Sequence, residues 1–144
     1  MIKPMDESRW LQYRSLLSPG RELYSIPLPS NLPHQGSIDG SFGYVLPERL
    51  LRRLRAWLDK RQCEAIFLFM TEYTGKKKSE GFFEIPLADL TEQELMQLHI
   101  PFPNVLTSRA FDWALYIDHE GNLHVAGPGD LLSELQAEDN SIRP

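Results

Sequence analysis

From residue 50 to residue 58 the apolar side chains Leu50, Leu51, Leu54, Trp57 and Leu58 recur at i, i+1, i+4, i+7 and i+8, with Arg49, Arg52, Arg53 and Arg55 between and before them. This spacing gathers the apolar groups into one stripe of a helix with a period of 3.6 residues, so the segment must lay one face on a core and turn its arginines outward. Pro47 suits the first turn, where an N–H is not missed, and Lys60 with Arg61 suits the last, where cations meet the negative end of the helix dipole. A helix with a single apolar face has to be matched by a second layer. The remaining sequence offers that layer mostly as strands.

The run 65–73, containing Ala65, Ile66, Phe67, Leu68, Phe69 and Met70, predicts a central strand, and the polar loop 74–81 leads into a second strand at 82–87, forming an antiparallel hairpin. A second hairpin is expected from 111–117 and 123–126, with Gly121 in the turn where a left-handed conformation is needed. Helices are predicted at 6–17, which Ser18, Pro19 and Gly20 terminate, at 91–98, where Thr91 and Glu94 match a capping box, and after Gly127 and Pro128, carrying Leu131, Leu132 and Leu135. The segment 22–28 alternates as a strand with Pro27 at an edge or end, 29–43 reads as a long loop, and 43–46 as a short strand. The order αββαββαββα places helices after strand pairs. It predicts an α+β fold, a mainly antiparallel sheet of about five to six strands flanked by helices, instead of a doubly wound parallel sheet.

A chain of 144 residues fits one domain. We place it at 1–137, with a polar C-terminal tail at 138–144. No apolar run approaches the ~20 residues of a bilayer span, and the first residues bring a proline and acids where a signal peptide has its apolar region. The expected location is the cytoplasm, with no membrane partner.

Chemical signatures are sparse. Cys63 is the only cysteine, which excludes an intrachain disulfide and a thiolate zinc cage. It reads as a small buried residue, or as a nucleophile if a base lies near it. Asp118, His119, Glu120 and His124 cluster around the last hairpin, but alternation sends Asp118 and His119 to opposite sides, so no metal site is expected. His34 and His99 stand alone. Lys76, Lys77 and Lys78 lack the context of a phosphate loop and read as a soluble hairpin tip. No catalytic residue set and no cofactor motif is visible.

Charge carries more information. Residues 1–78 hold 13 basic and 8 acidic side chains, whereas 79–144 hold 2 basic and 12 acidic, so the halves have opposite sign at +5 and −10. An acidic second half and a pI near 5.3 disfavour nucleic acid and favour a basic protein partner, unless folding interleaves the halves. On the strand 111–117, Phe111, Trp113, Leu115 and Ile117 have core spacing, while Tyr116 shares the other face with Asp112 and Asp118. The candidate partner-binding residues are Glu84, Asp112, Tyr116, Asp118 and Glu120, acids on or beside strands with one aromatic among them.

In design the chain resembles the small immunity proteins that bacteria pair with toxin domains of contact-dependent and other polymorphic secretion systems. The resemblance lies in one acidic α+β domain without catalytic motifs. It also lies in the closing strand from Asp112 to Asp118, joined through Glu120 and Gly121 to a short strand, Gly127, Pro128 and a helix. It implies a stoichiometric protein-binding module that neutralises a cognate toxin, for example a basic toxin domain. The alternatives are a small hydrolase or transferase with its site between loop 29–43 and the last hairpin, and an adaptor subunit of a larger assembly.

Overall fold

The computed structural model describes residues 1–17, 26–40, 43–72, 81–101 and 103–137. In chain order they form β1 (Lys3–Pro4), α1 (Ser8–Arg14), β2 (His34–Ile38), α2 (Glu48–Lys60), β3 (Ala65–Met70), β4 (Phe82–Pro86) and a 3₁₀ turn (Leu87–Asp89). Then follow α3 (Glu92–Met96), β5 (Asn104–Ser108), β6 (Ala114–Ile117), β7 (Leu123–Ala126) and α4 (Leu131–Gln136). All seven strands join one sheet in the order β1-β4-β3-β5-β6-β7-β2, and every pairing is antiparallel. The fold is α+β with a mainly antiparallel sheet, with a strand count slightly above the expected five to six.

Both faces of the sheet are covered. On one, Leu50, Leu51, Leu54, Trp57 and Leu58 of α2 pack with Ile66, Leu68, Met70, Leu106, Leu115 and Val125, and Leu131 and Leu135 of α4 join them. The arginine-flanked stripe is therefore a core face, as its period predicts. On the other, Tyr13 of α1 packs with Phe67, Phe69, Phe82, Val105, Ala114 and Tyr116, and Trp10 and Phe111 lie against this cluster. Successive side chains of β3 feed the two clusters alternately, the pleat's period of two.

Three strands were not foreseen: the two-residue β1, β2 and β5. β5 lies between β3 and β6 with all five residues buried. Its polar side chains are used internally: Asn104 donates to the Tyr44 carbonyl at 2.8 Å, Thr107 to the Trp113 carbonyl at 2.6 Å, and Ser108 to the Asp112 carboxylate. A strand covered on both faces shows no polar alternation, so the sequence hid it. β2 falls inside the expected loop 29–43. Its register shifts between His34 and Gly36, and Gly36 has φ +148°, which breaks the alternation that would have marked it.

Other boundaries move for local reasons. The expected strand at 43–46 is a turn that drops Leu46 into the core. β6 begins at Ala114, not 111, because Phe111 adopts φ +57°. Of the expected strand 22–28, residues 22–25 lie outside the described residues and 26–28 are not a strand. Most of the hairpin loop, 73–80, and the tail 138–144 also lie outside them. The cap on α3 forms as read, with the Thr91 hydroxyl accepting from the Glu94 N–H at 3.2 Å.

Leu54 is fully buried at the centre of the α2 stripe. Leu54→Ala is expected to lower unfolding free energy by ~2–5 kcal/mol, the cost of an emptied leucine site. Denaturant titration measures it, and a change below ~1 kcal/mol would mean the stripe is not core.

Candidate functional site

A concavity lies where α2 ends and β5 turns into β6. Helix α2 closes with a Schellman arrangement: the Cys63 N–H donates to the Leu58 carbonyl at 3.0 Å and the Gln62 N–H to the Asp59 carbonyl at 3.0 Å. Gln62 takes the left-handed conformation, φ +57°, where glycine is usual, and the reversal delivers the chain into β3. Opposite, the Phe111 N–H donates to the Ser108 carbonyl at 3.1 Å and the Asp112 N–H to Ser108 Oγ at 3.1 Å. Gln62 lines this space, and Phe111, also of positive φ, stands in the chain between the lining residues Ala110 and Asp112.

That space is a cleft of about 300 Å³ whose lining includes Trp57, Arg61, Cys63, Arg109, Asp112 and Trp113. Trp57 and Trp113 meet edge to face at 6.0 Å and form a rigid floor, each only 2% exposed. Gly127 permits it, because a Cβ there would come within 2.8 Å of Trp113 Cβ. Arg61 lies over the Trp57 ring at 3.8 Å and pairs with Asp130 at 3.1 Å. The Trp57 indole N–H donates to the same Asp130 oxygen at 3.2 Å. The indole N–H, with the Arg61 charge, holds the Asp130 carboxyl below its ordinary value. Arg109 pairs with Glu84 at 3.2 Å.

Cys63 is half-buried beside this cleft. Burial, with the Asp112 and Glu64 carboxylates adding to it, pushes its thiol up. A raised thiol is protonated near neutral pH, so the small-buried-residue reading describes it better than the nucleophile.

A second polar group sits on the other face of the sheet, at the far end of β6. His124 on β7 approaches Asp118 Oδ2 through Nε2 at 2.8 Å and Ser37 Oγ on β2 through Nδ1 at 3.0 Å. A carboxylate cannot donate, so neutral His124 carries its proton on Nε2 and Nδ1 accepts from Ser37. The ring stacks between Tyr116 at 5.8 Å and His34 at 6.4 Å. Asp118 Oδ1 accepts the Glu120 N–H at 2.8 Å and the Asn122 N–H at 3.0 Å, which ties the hairpin turn. His119 turns away to Glu72 at 2.8 Å, the divergence that alternation implies. Among the described residues no three His, Cys, Asp or Glu side chains are placed to hold a metal ion.

The five candidate contacts are therefore divided. Glu84 and Asp112 lie at the cleft end of the sheet; Tyr116, Asp118 and Glu120 lie at the last hairpin. With ~3.3 Å per strand residue, Asp112 and Asp118 stand on the order of 15–20 Å apart. Tyr116 is 9% exposed and offers little surface. Glu84 is engaged by Arg109 and Asp118 by His124, whereas Asp112 and Glu120 are exposed without a cation partner among the described residues. Arg109 and Ser37 were not singled out from the sequence, and Arg61 was read only as a cation at the end of its helix. Their positions depend on partners far along the chain.

The charge halves interleave, with β3 and β2 from the basic half beside β4, β5 and β7 from the acidic half. They also neutralise one another through Arg61 with Asp130, and through the Met1 amino group with Asp89 at 2.7 Å. No helix among the described residues is long and apolar enough to cross a membrane. No protein-family model, curated protein or solved structure matches the chain.

Burial alone would raise the Asp118 carboxyl, but hydrogen bonds from His124 and from the Asn122 and Glu120 backbones outweigh it, leaving the carboxyl below its ordinary value. A depressed folded value means the carboxylate contributes stability above its unfolded pKa of about 3.9, and that contribution is lost as pH falls through the folded value. The thermal midpoint of the wild type should therefore fall below about pH 4 more steeply than that of Asp118→Asn. Parallel curves would assign the acid loss to other carboxylates.

Proposed function

We propose that the protein is a stoichiometric protein-binding module, most concretely a cytoplasmic immunity protein that neutralises a cognate bacterial toxin. The observation that carries this reading is the Arg61 guanidinium, held over the Trp57 ring at 3.8 Å and anchored by Asp130 at the rim of a cleft. Binding normally costs the entropy of ordering long side chains, and an arginine already fixed on an aromatic ring loses less of it. Arginine and tryptophan are also the residue types that dominate interface energies. Asp112 beside it and Glu120 at the last hairpin supply exposed carboxylates for a basic partner, whose approach opposite charge would steer.

The test is expression with a toxin domain encoded beside it. The expected result is survival of the host only when this chain is present, and a one-to-one complex whose association slows as salt rises. Arg61→Ala should weaken the complex about tenfold, ~1.4 kcal/mol. Absence of both complex and protection overturns the reading.

One observation favours a second reading, a small hydrolase with its site between loop 29–43 and the last hairpin. Ser37, His124 and Asp118 form a hydroxyl, base and orienting carboxylate at 3.0 and 2.8 Å, the arrangement that activates a nucleophile. On that reading Ser37 Oγ displaces fluoride from a fluorophosphonate while His124 Nδ1 takes its proton, and the phosphonyl adduct disappears in His124→Ala. An unchanged mass of the intact protein after exposure removes the hydrolase reading.

A further inference from the structure

The charges around the cleft do not balance. Glu64 and Asp112 line it together with Arg61 and Arg109, whose guanidiniums are already engaged by two acids outside the lining, Asp130 and Glu84. Asp130 and Glu84 are matched to those guanidiniums at 3.1 and 3.2 Å. Glu64 and Asp112 have no cation partner among the described residues. Ser108 Oγ donates to Asp112 Oδ1 and fixes the carboxylate in place. The Cys63 thiol, raised chiefly by burial, lies within the field of both carboxylates and of the Arg109 guanidinium, which opposes them.

We infer that this cleft is a socket for the guanidinium of an arginine presented by a protein partner, with Asp112 and Glu64 as its charge partners. The source of that arginine rests on the protein-binding reading above; the socket itself rests on the cleft. At about 300 Å³ the space stands at the lower end of ligand pockets, a volume suited to one side chain and not to a cofactor. Trp57, Trp113 and Ala65 close its floor but are almost wholly buried, so the surface open to an incoming side chain is the polar lining of Glu64, Arg109 and Asp112. A planar fork reaches two carboxylates with several donors at once, which a lysine ammonium does less well. An anion would meet the two unmatched carboxylates and could be held only by breaking an existing arginine pair.

The probe is N-acetyl-arginine amide, titrated into the full chain while the indole N–H resonances of Trp57 and Trp113 are followed by NMR. Saturable shifts in the millimolar range are expected. The uncharged N-acetyl-citrulline amide should give none, and Asp112→Asn and Glu64→Gln should each weaken the binding severalfold. Both variants are surface changes, and an unchanged thermal midpoint checks that each is folded. Absence of shifts, equal shifts with the citrulline analogue, or binding unaffected in both variants overturns the socket. Failure of the two readings separates cleanly. A toxin complex that Asp112→Asn and Glu64→Gln leave intact overturns the socket and keeps the proposed function, whereas arginine-specific binding in a chain that protects against no toxin supports the socket and removes the immunity role.

Discussion

The strand β3 carries six consecutive buried residues, Ala65–Met70, and it pairs on one side with β4 and on the other with β5. Because its side chains alternate, Ile66, Leu68 and Met70 need a cover on one face, while Phe67 and Phe69 need one on the other. Fully burying each such side chain is worth roughly 1.5–3 kcal/mol. Neither α2 nor the aromatic layer around α1 can be dispensed with. The three-layer arrangement follows from this one strand, and so does the placement of β5, which shields its second edge.

Double burial also governs the polar chemistry. A sheet covered on both faces cannot leave a hydroxyl or amide unpaired without a desolvation cost of about 1–3 kcal/mol. Among the described residues no buried side-chain nitrogen or oxygen lacks a partner. Thr107 and Ser108 spend their hydroxyls on the turn that opens β6, and this turn forms one wall of the cleft. Gln35 works in the same way at the β2 edge: its side-chain oxygen accepts the Leu132 N–H at 2.8 Å and its nitrogen donates to the Pro128 carbonyl, fastening α4 to the strand. The candidate site is therefore built by groups whose first task is to satisfy the core.

Folding redistributes the charge that looks segregated along the chain. Strand order sets β3 between β4 and β5, and β2 beside β7, so the basic and acidic halves interleave in the sheet. What remains is local: an arginine pinned on a tryptophan, two unmatched carboxylates beside it, and a histidine held between a serine and an aspartate. Such features decide recognition more than the net charge of either half does, because exposed charges farther apart than about 8–10 Å are largely screened at ordinary salt.

The sequence by itself determined the elements whose pattern is written in consecutive residues. The α2 stripe, the β3–β4 hairpin, the β6–β7 turn at Gly121 and the Thr91 cap all follow from spacing or from one residue's backbone preference, and they were enough for the α+β class. Only the tertiary structure decided β1, β2 and β5, and β1 is too short at two residues to carry any pattern. A bulge at Gly36 erases one pattern, and burial on both faces erases the other, since alternation records a polar side that β5 does not have. It alone also turned Tyr116 inward, matched Arg61 to a carboxylate 69 residues away and brought Ser37 to a ring 87 residues away. Local periodicity reports which side of an element is apolar. Which elements become neighbours is fixed by the order of strands in the sheet, and the candidate site lies where those neighbours meet.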